Sequence, residues 1–245
     1  MVYSGNDLDA LRESGKMLAQ VLKSIINITS IGITTKEIAD KAKKELEQLG
    51  GKPAFYNYGG FPDVICISIN EQVVHGVPNN YKIKDGDMVS YDFGVQHRGM
   101  NTDAARTIIV GTPSEAAKQL IKTTKISLDK GIAAVKAGAR VGDISQAVQT
   151  TLESAGYGVI RDLVGHGVGR AVHEEPNIPN YGNRGEGPLL RAGQSLAIEP
   201  MSSMGTYKII TLADGWTIAT ADSSLSAHFE DTVIVTDYGC EIITR

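Results

Sequence analysis

The chain has 245 residues, a formal net charge of -4, 42% hydrophobic side chains and two cysteines. That length suits one α/β or α+β unit with a large core, or two small domains. The acidic balance, with no Lys/Arg cluster interleaved with aromatics, argues against direct nucleic-acid binding.

The opening residues, Met1 to Asp7, lack the charged and apolar regions of a secretory signal. Apolar runs such as Val64-Ile65-Cys66-Ile67 fall far short of the roughly 20 residues of a membrane helix. Cys66 and Cys240 form neither a CxxC pair nor a disulfide framework, which fits a reducing compartment. A cytoplasmic, monomeric protein with no membrane partner is expected.

From Asn6 to Ile26, Leu8, Leu11, Leu18, Val21, Leu22 and Ile25 recur at helical spacing and predict an amphipathic helix. A second helix starts at Thr34 or Thr35 as N-cap, runs through Ile38, Ala42, Leu46 and Leu49, and stops at Gly50-Gly51. Strand-like segments follow. In Val89-Ser90-Tyr91-Asp92-Phe93-Gly94-Val95 the apolar residues hold the odd positions, so period-two alternation points Asp92 the other way. The next run, Asp103 to Val110, comes after a turn around His97-Arg98-Gly99, and folding there sets Asp103 opposite Asp92. Like charges so opposed destabilise a sheet unless something cationic compensates them.

The helical pattern then returns, with Ser114 capping a helix to about Val135 and Asp143 starting another that ends near Gly156. Adding 106 to Gly32, Ile38, Leu46, Glu47 and Gly50 gives Gly138, Ile144, Leu152, Glu153 and Gly156. The register predicts a duplicated α+β unit, two helices then strands in each half, packed about a pseudo-two-fold axis with mainly antiparallel sheet. No Pro- or Ser-rich linker divides residues 1–245, which are read as a single domain.

Two later strand-like runs also carry acids. Glu199 interrupts Leu196-Ala197-Ile198, and Glu230 precedes Asp231 and Val233-Ile234-Val235. Each acid alone is ordinary on the wet face of a half-exposed antiparallel sheet. Together with His166 in Gly165-His166-Gly167, four carboxylates and an imidazole match the needs of two divalent cations. Such oxygen-rich ligation suits manganese, iron, cobalt or magnesium better than structural zinc, and paired ions activate water for hydrolysis. No HExxH, GxSxG or GxxxxGK[ST] motif offers other chemistry. Gly165-His166-Gly167-Val168-Gly169 lacks GxGxxG spacing, and its glycines are expected to let backbones approach closely. His75 and His173 stand in ordered-looking contexts as further candidates.

The motifs Cys66-Ile67-Ser68-Ile69-Asn70-Glu71, Val74-His75-Gly76-Val77-Pro78, Asp92-Phe93-Gly94, Asp103-Ala104-Ala105-Arg106-Thr107, Gly165-His166-Gly167-Val168-Gly169-Arg170, His173-Glu174-Glu175-Pro176, Ile198-Glu199-Pro200 and Phe229-Glu230-Asp231-Thr232 carry a resemblance over essentially the whole chain. It resembles the type I methionine aminopeptidases of the pita-bread fold. The resemblance implies two divalent ions (cobalt, manganese, iron, zinc or nickel) on Asp92, Asp103, His166, Glu199 and Glu230. It also implies Glu199 as general base, His75 at the scissile amide nitrogen, and His173 at the carbonyl oxygen. A methionine pocket of Tyr58, Phe61, Cys66, Val172 and Trp216 follows from the same resemblance.

The implied activity is removal of the initiator methionine from nascent peptides with a small second residue, by attack of a metal-bound hydroxide, with the ribosome as a possible contact. Prolidase or Xaa-Pro aminopeptidase activity shares the fold and ligand set, and a silent peptide-binding module is the non-enzyme alternative. The chain departs from the family pattern at Asn101, where relatives often carry His, and at Asp231, which is expected to add a carboxylate near the site. Val172 is smaller than its counterpart in some relatives.

Overall fold

The computed structural model describes all 245 residues. Four helices form: α1 (Asn6–Ile28), α2 (Thr35–Leu49), α3 (Glu115–Ala133) and α4 (Val141–Glu153). Thr34 is the N-cap of α2, its hydroxyl accepting from Glu37 N while the Glu37 carboxylate accepts from Thr34 N, a reciprocal box that satisfies two otherwise unpaired donors. Helix α1 runs two residues beyond its predicted end. Helix α4 begins two residues before its predicted start: Asp143 sits inside its first turn and accepts from Arg140 N at 2.8 Å.

The 106-residue offset is structural. It carries 35–49, the span of α2, onto 141–155, over α4 (Val141–Glu153), and it relates the isolated bridge at Thr34 to the one at Arg140. All the strand pairings are antiparallel. In the first half Met88–His97 pairs with Met100–Ile109 on one side and with Lys52–Pro53 and Cys66–Ile69 on the other. The second half has a five-stranded sheet in the order Cys240–Ile242, Asp231–Val235, Ser195–Ile198, Val164–Gly167, Glu174–Pro179. Two three-stranded sheets complete the fold.

The alternation read from the sequence sorts the faces. Val89, Tyr91, Phe93 and Val95 are fully buried against α1 and α2, together with Leu18, Ile25, Ile38 and Leu46. Leu196, Ile198, Val233 and Val235 pack with Leu128, Ile132 and Ile144 of α3 and α4. Each such side chain contributes about 1.5–3 kcal/mol by leaving water, so the apolar faces fix which way the strands turn. The two half-sheets meet edge to edge, where Ala105 and Glu230 exchange main-chain hydrogen bonds, and their faces away from the helices carry the acids. No helix is long and apolar enough to cross a membrane.

One predicted pairing is corrected. The hairpin closes through the two residues Arg98 and Gly99, with φ of 49° and 81°, so His97 pairs with Met100. A two-residue loop with both residues left-handed matches strand twist and is the preferred tight hairpin. Asp92 therefore lies opposite Ala105, and Asp103 opposite Gly94. The shift is by an even number of residues, so both acids keep the same face and become diagonal neighbours.

Candidate metal centre

The acids meet because three chains run side by side. Asp92 pairs with Cys66 on one side and Ala105 on the other. Ala105 in turn exchanges two main-chain hydrogen bonds with Glu230, at 3.0 and 3.3 Å. Asp92 and Glu230 thus flank a residue with only a methyl side chain, which leaves room between two carboxylates. Thr232 holds Asp103 in place: its hydroxyl accepts from Asp103 N and donates to Asp103 O. Glu199 follows Ser195–Ile198 just before Pro200, whose missing N–H ends the ladder there. Asn180 fixes that bend by donating to Glu199 O at 2.9 Å.

His166 reaches the same place from Val164–Gly167. A Cβ on Gly165 would meet Ala197 O at 2.5 Å, and one on Gly167 would meet Glu175 O at 2.5 Å. Only glycine lets the chain lie this close to both neighbours, as the sequence predicted. His166 Nδ1 lies 2.9 Å from Gly167 O and donates to it, so Nε2 carries a bare lone pair. That lone pair is 3.4 Å from Glu199 Oε1. Ligand atoms of Asp103, His166 and Glu230 all lie within 4.8 Å of one another.

The electrostatics are unfavourable without a cation. Burial and the charge of Asp103 hold Asp92 well above the ordinary carboxylate range. Burial pushes Asp103 up to about 7, and Glu199 and Glu230 are raised by burial and by the neighbouring acids. His166 is pushed down to about 3 by burial and the nearby His173. Asp92 Oδ1, Asp103 Oδ1 and Glu230 Oε1 are buried with no hydrogen-bond partner. Buried acids stay ionised when paired with positive charge or metal. Orphaned oxygens, converging acids and an imidazole lone pair fit divalent cations.

These residues line a cleft of about 320 Å³ that continues into an apolar wall. Phe55, Tyr58, Phe61, Cys66 and Trp216 line it together with His75 and His173. Phe61 and Trp216 meet edge to face at 5.4 Å between ring centroids. Burial and the charges of Asp92 and Asp103 raise the Cys66 thiol, so it remains a neutral apolar lining group. Val172 does not line the cleft directly; it packs behind it against Phe55, Phe61 and Cys66. His173 Nδ1 lies 2.9 Å from the Tyr58 hydroxyl, and its ring sits 4.1 Å from that of His166. His75 is held with φ of 58°, an uncommon left-handed conformation for a non-glycine residue.

Asn101 and Asp231 do not enter the cleft. Asn101 Nδ2 donates to Gly169 O and Arg170 O, anchoring the loop after His166. Asp231 alternates with Glu230 and points to the helix side, where it accepts from Arg106, Thr244 and Arg245. The expected extra carboxylate near the site is thus neutralised by two guanidiniums. Sequence reasoning missed Phe55, Asn180 and His228. Only His228 had a readable signal, since it lies two residues before Glu230 and so shares its face.

Residues 9–237 match the model of metallopeptidase family M24. The chain belongs to that family. Among M24 relatives it is 48% identical to a methionine aminopeptidase of Clostridium perfringens over 98% of this chain and 96% of that one. It is 42% identical to methionine aminopeptidase 1 of Bacillus subtilis with the same coverage. The crystal structure of a methionine aminopeptidase from Thermotoga maritima superposes with a TM-score of 0.98 at 43% identity, covering 100% of this chain and 99% of that one. A prolidase from Pyrococcus horikoshii, at 23% identity and a TM-score of 0.81, is matched over all of this chain but 63% of that one, and shares the pita-bread fold.

Proposed function

We propose that this M24 enzyme is a metal-dependent methionine aminopeptidase that removes the initiator methionine from nascent peptides whose second residue is small. Residues 1–245 are read as one catalytic domain acting as a monomer in the cytoplasm. The observation that carries the reading is a single continuous cleft, with clustered acids and a bare imidazole lone pair at one end and Phe61, Cys66 and Trp216 at the other. Its volume of about 320 Å³ is at the small end of ligand pockets and suits one side chain plus the adjoining peptide bond.

Asp92, Asp103, His166, Glu199 and Glu230 would hold two divalent ions, which supply Lewis acidity and lower the pKa of water. The protein's own groups do the rest. The aromatic and thiol wall takes the methionine thioether, a soft apolar group that packs well on ring edges. Glu199, on the wall of the cleft, accepts the proton that water loses. With the Tyr58 hydroxyl donating to Nδ1, His173 keeps its proton on Nε2 and presents it to the carbonyl oxygen of the scissile bond. His75 faces the amide nitrogen. Burial lowers both histidines, so they act as neutral hydrogen-bonding groups.

The Xaa-Pro peptidase and silent-module readings are not favoured. The full-length relatives at 42–48% identity are methionine aminopeptidases, the prolidase likeness extends to the fold alone, and none of the five ligand positions is lost. The test is release of the first residue from Met-Ala-Ser, Leu-Ala-Ser and Ala-Pro-Ser with added manganese or cobalt. Turnover of the first alone is expected. Cleavage of the proline peptide only, or of none by folded protein in any metal, would overturn the reading.

A further inference from the structure

His228 ends the strand Ser226–His228, two residues before Glu230, and its imidazole is almost entirely buried, with 1% of its surface exposed. Its main chain is pinned: Thr107 Oγ1 accepts from His228 N and donates to His228 O, and Ser90 Oγ lies 2.8 Å from the same hydroxyl. The ring therefore has little freedom to turn elsewhere. Neither ring nitrogen has a hydrogen-bond partner. Nε2 faces two carboxylates at once, 3.8 Å from Glu199 Oε2 and 3.9 Å from Glu230 Oε2. These separations exceed a good N–H···O bond by roughly 0.7 Å, a gap that a small rotation of either carboxylate or a single water closes. A buried imidazole with two unpaired nitrogens is uncommon in folded proteins and points to a partner of this kind.

We propose that His228 is a positioning residue. Its Nε2–H is shared by Glu199 and Glu230 and holds both carboxylates in the orientation that binds divalent ions. Nothing in the ring contacts the cleft itself, so it acts through the two acids. The proposal rests on the reading of Glu199 and Glu230 as ligands. Outer hydrogen bonds of this type fix ligand orientation, and their loss weakens metal binding by roughly 10- to 100-fold.

The test is calorimetric titration of chelator-stripped wild type, His228→Gln and His228→Leu with Mn²⁺, alongside kcat and KM on Met-Ala-Ser. Leucine fills the space without an N–H, whereas the glutamine amide restores a donor at similar reach. The leucine variant is expected to bind Mn²⁺ ~10- to 100-fold more weakly and to lose kcat with KM within about twofold. Glutamine is expected to recover most of both. Wild-type binding with unchanged affinity in folded His228→Leu, or equal loss in both variants, would overturn this proposal alone. A wild type that binds no Mn²⁺ would instead overturn the ligand reading beneath it. A readout independent of variant folding is the long-range ¹H–¹⁵N spectrum of ¹⁵N-histidine-labelled wild type with Zn²⁺. Its expected result is a neutral His228 protonated on Nε2, and a proton on Nδ1 with Nε2 bare would overturn the assignment.

Discussion

His166 Nε2 and Glu199 Oε1 face each other across 3.4 Å with an acceptor on each side. Because Nδ1–H is donated to Gly167 O, the imidazole itself supplies no proton to an ionised Glu199. A cation between the two would relieve that opposition, and the roles proposed for Glu199 are to bind it and to take a proton. Glu199→Gln keeps the shape and one oxygen but cannot accept a proton. The variant is expected to fold with wild-type secondary structure and to lose ~10²-fold or more in kcat. Near-normal turnover in a steady-state assay would exclude Glu199 as the base.

The four acids give the chelated protein a distinctive pH profile. Asp103, raised by burial to about 7, keeps its proton in the folded chain where the unfolded chain has lost it. Its contribution to stability is therefore present below the ordinary carboxylate pKa and is lost as pH rises through about 7. Asp92, Glu199 and Glu230 shift in the same direction. His166 and His228, both held down to about 3 by burial, oppose this below the ordinary histidine range, because unfolding then gains protons. Thermal melts in EDTA are expected to show Tm rising as pH falls from about 8 to about 6.5, with the rise shallower below that as the histidines begin to oppose it. With Mn²⁺ the alkaline side is expected to rise instead, since metal binds the deprotonated ligands. A melting temperature in EDTA that climbs steadily toward alkaline pH would contradict the raised carboxylates.

Trp216 is only partly buried, and its edge contact with Phe61 forms one wall of the apolar cleft. Trp216→Ala is expected to cost little global stability but to lower kcat/KM for Met-Ala-Ser by ~10-fold or more, through the lost aromatic surface. Unchanged kcat/KM would place the methionine side chain elsewhere.

Asp231 is wholly buried between Arg106 at 2.7 Å and Arg245 at 2.8 Å. Asp231→Ala leaves both guanidiniums without that partner and frees Thr244. The expected loss in urea unfolding is on the order of 3 kcal/mol, at the low end for a broken buried pair because both arginines keep some solvent. A change below about 1 kcal/mol would show that the pair contributes little to stability.

Much of this was legible from the chain. Helix periodicity, the Thr34 cap and the 106-residue offset carried the architecture, because burial of one face repeats at fixed spacing. The side of the sheet taken by Asp92 followed from Val89, Tyr91, Phe93 and Val95 by parity alone. Register did not, since it turns on whether Arg98 and Gly99 both adopt left-handed backbone, which residue identity only suggests. The direction of Asp231 was open to the same parity reasoning. Its neutralisation by Arg245 depends on the last strand returning to the sheet, a contact no local pattern encodes. Phe55 and Asn180 enter through tertiary packing and left no signal in sequence.

On the proposed reading, divalent ions gather the acids of both halves. Anomalous diffraction from crystals grown with Mn²⁺ tests it most directly. Two peaks are predicted, each within coordination distance of side chains among Asp92, Asp103, His166, Glu199 and Glu230. A crystal of active enzyme with no anomalous density at these five residues would contradict it.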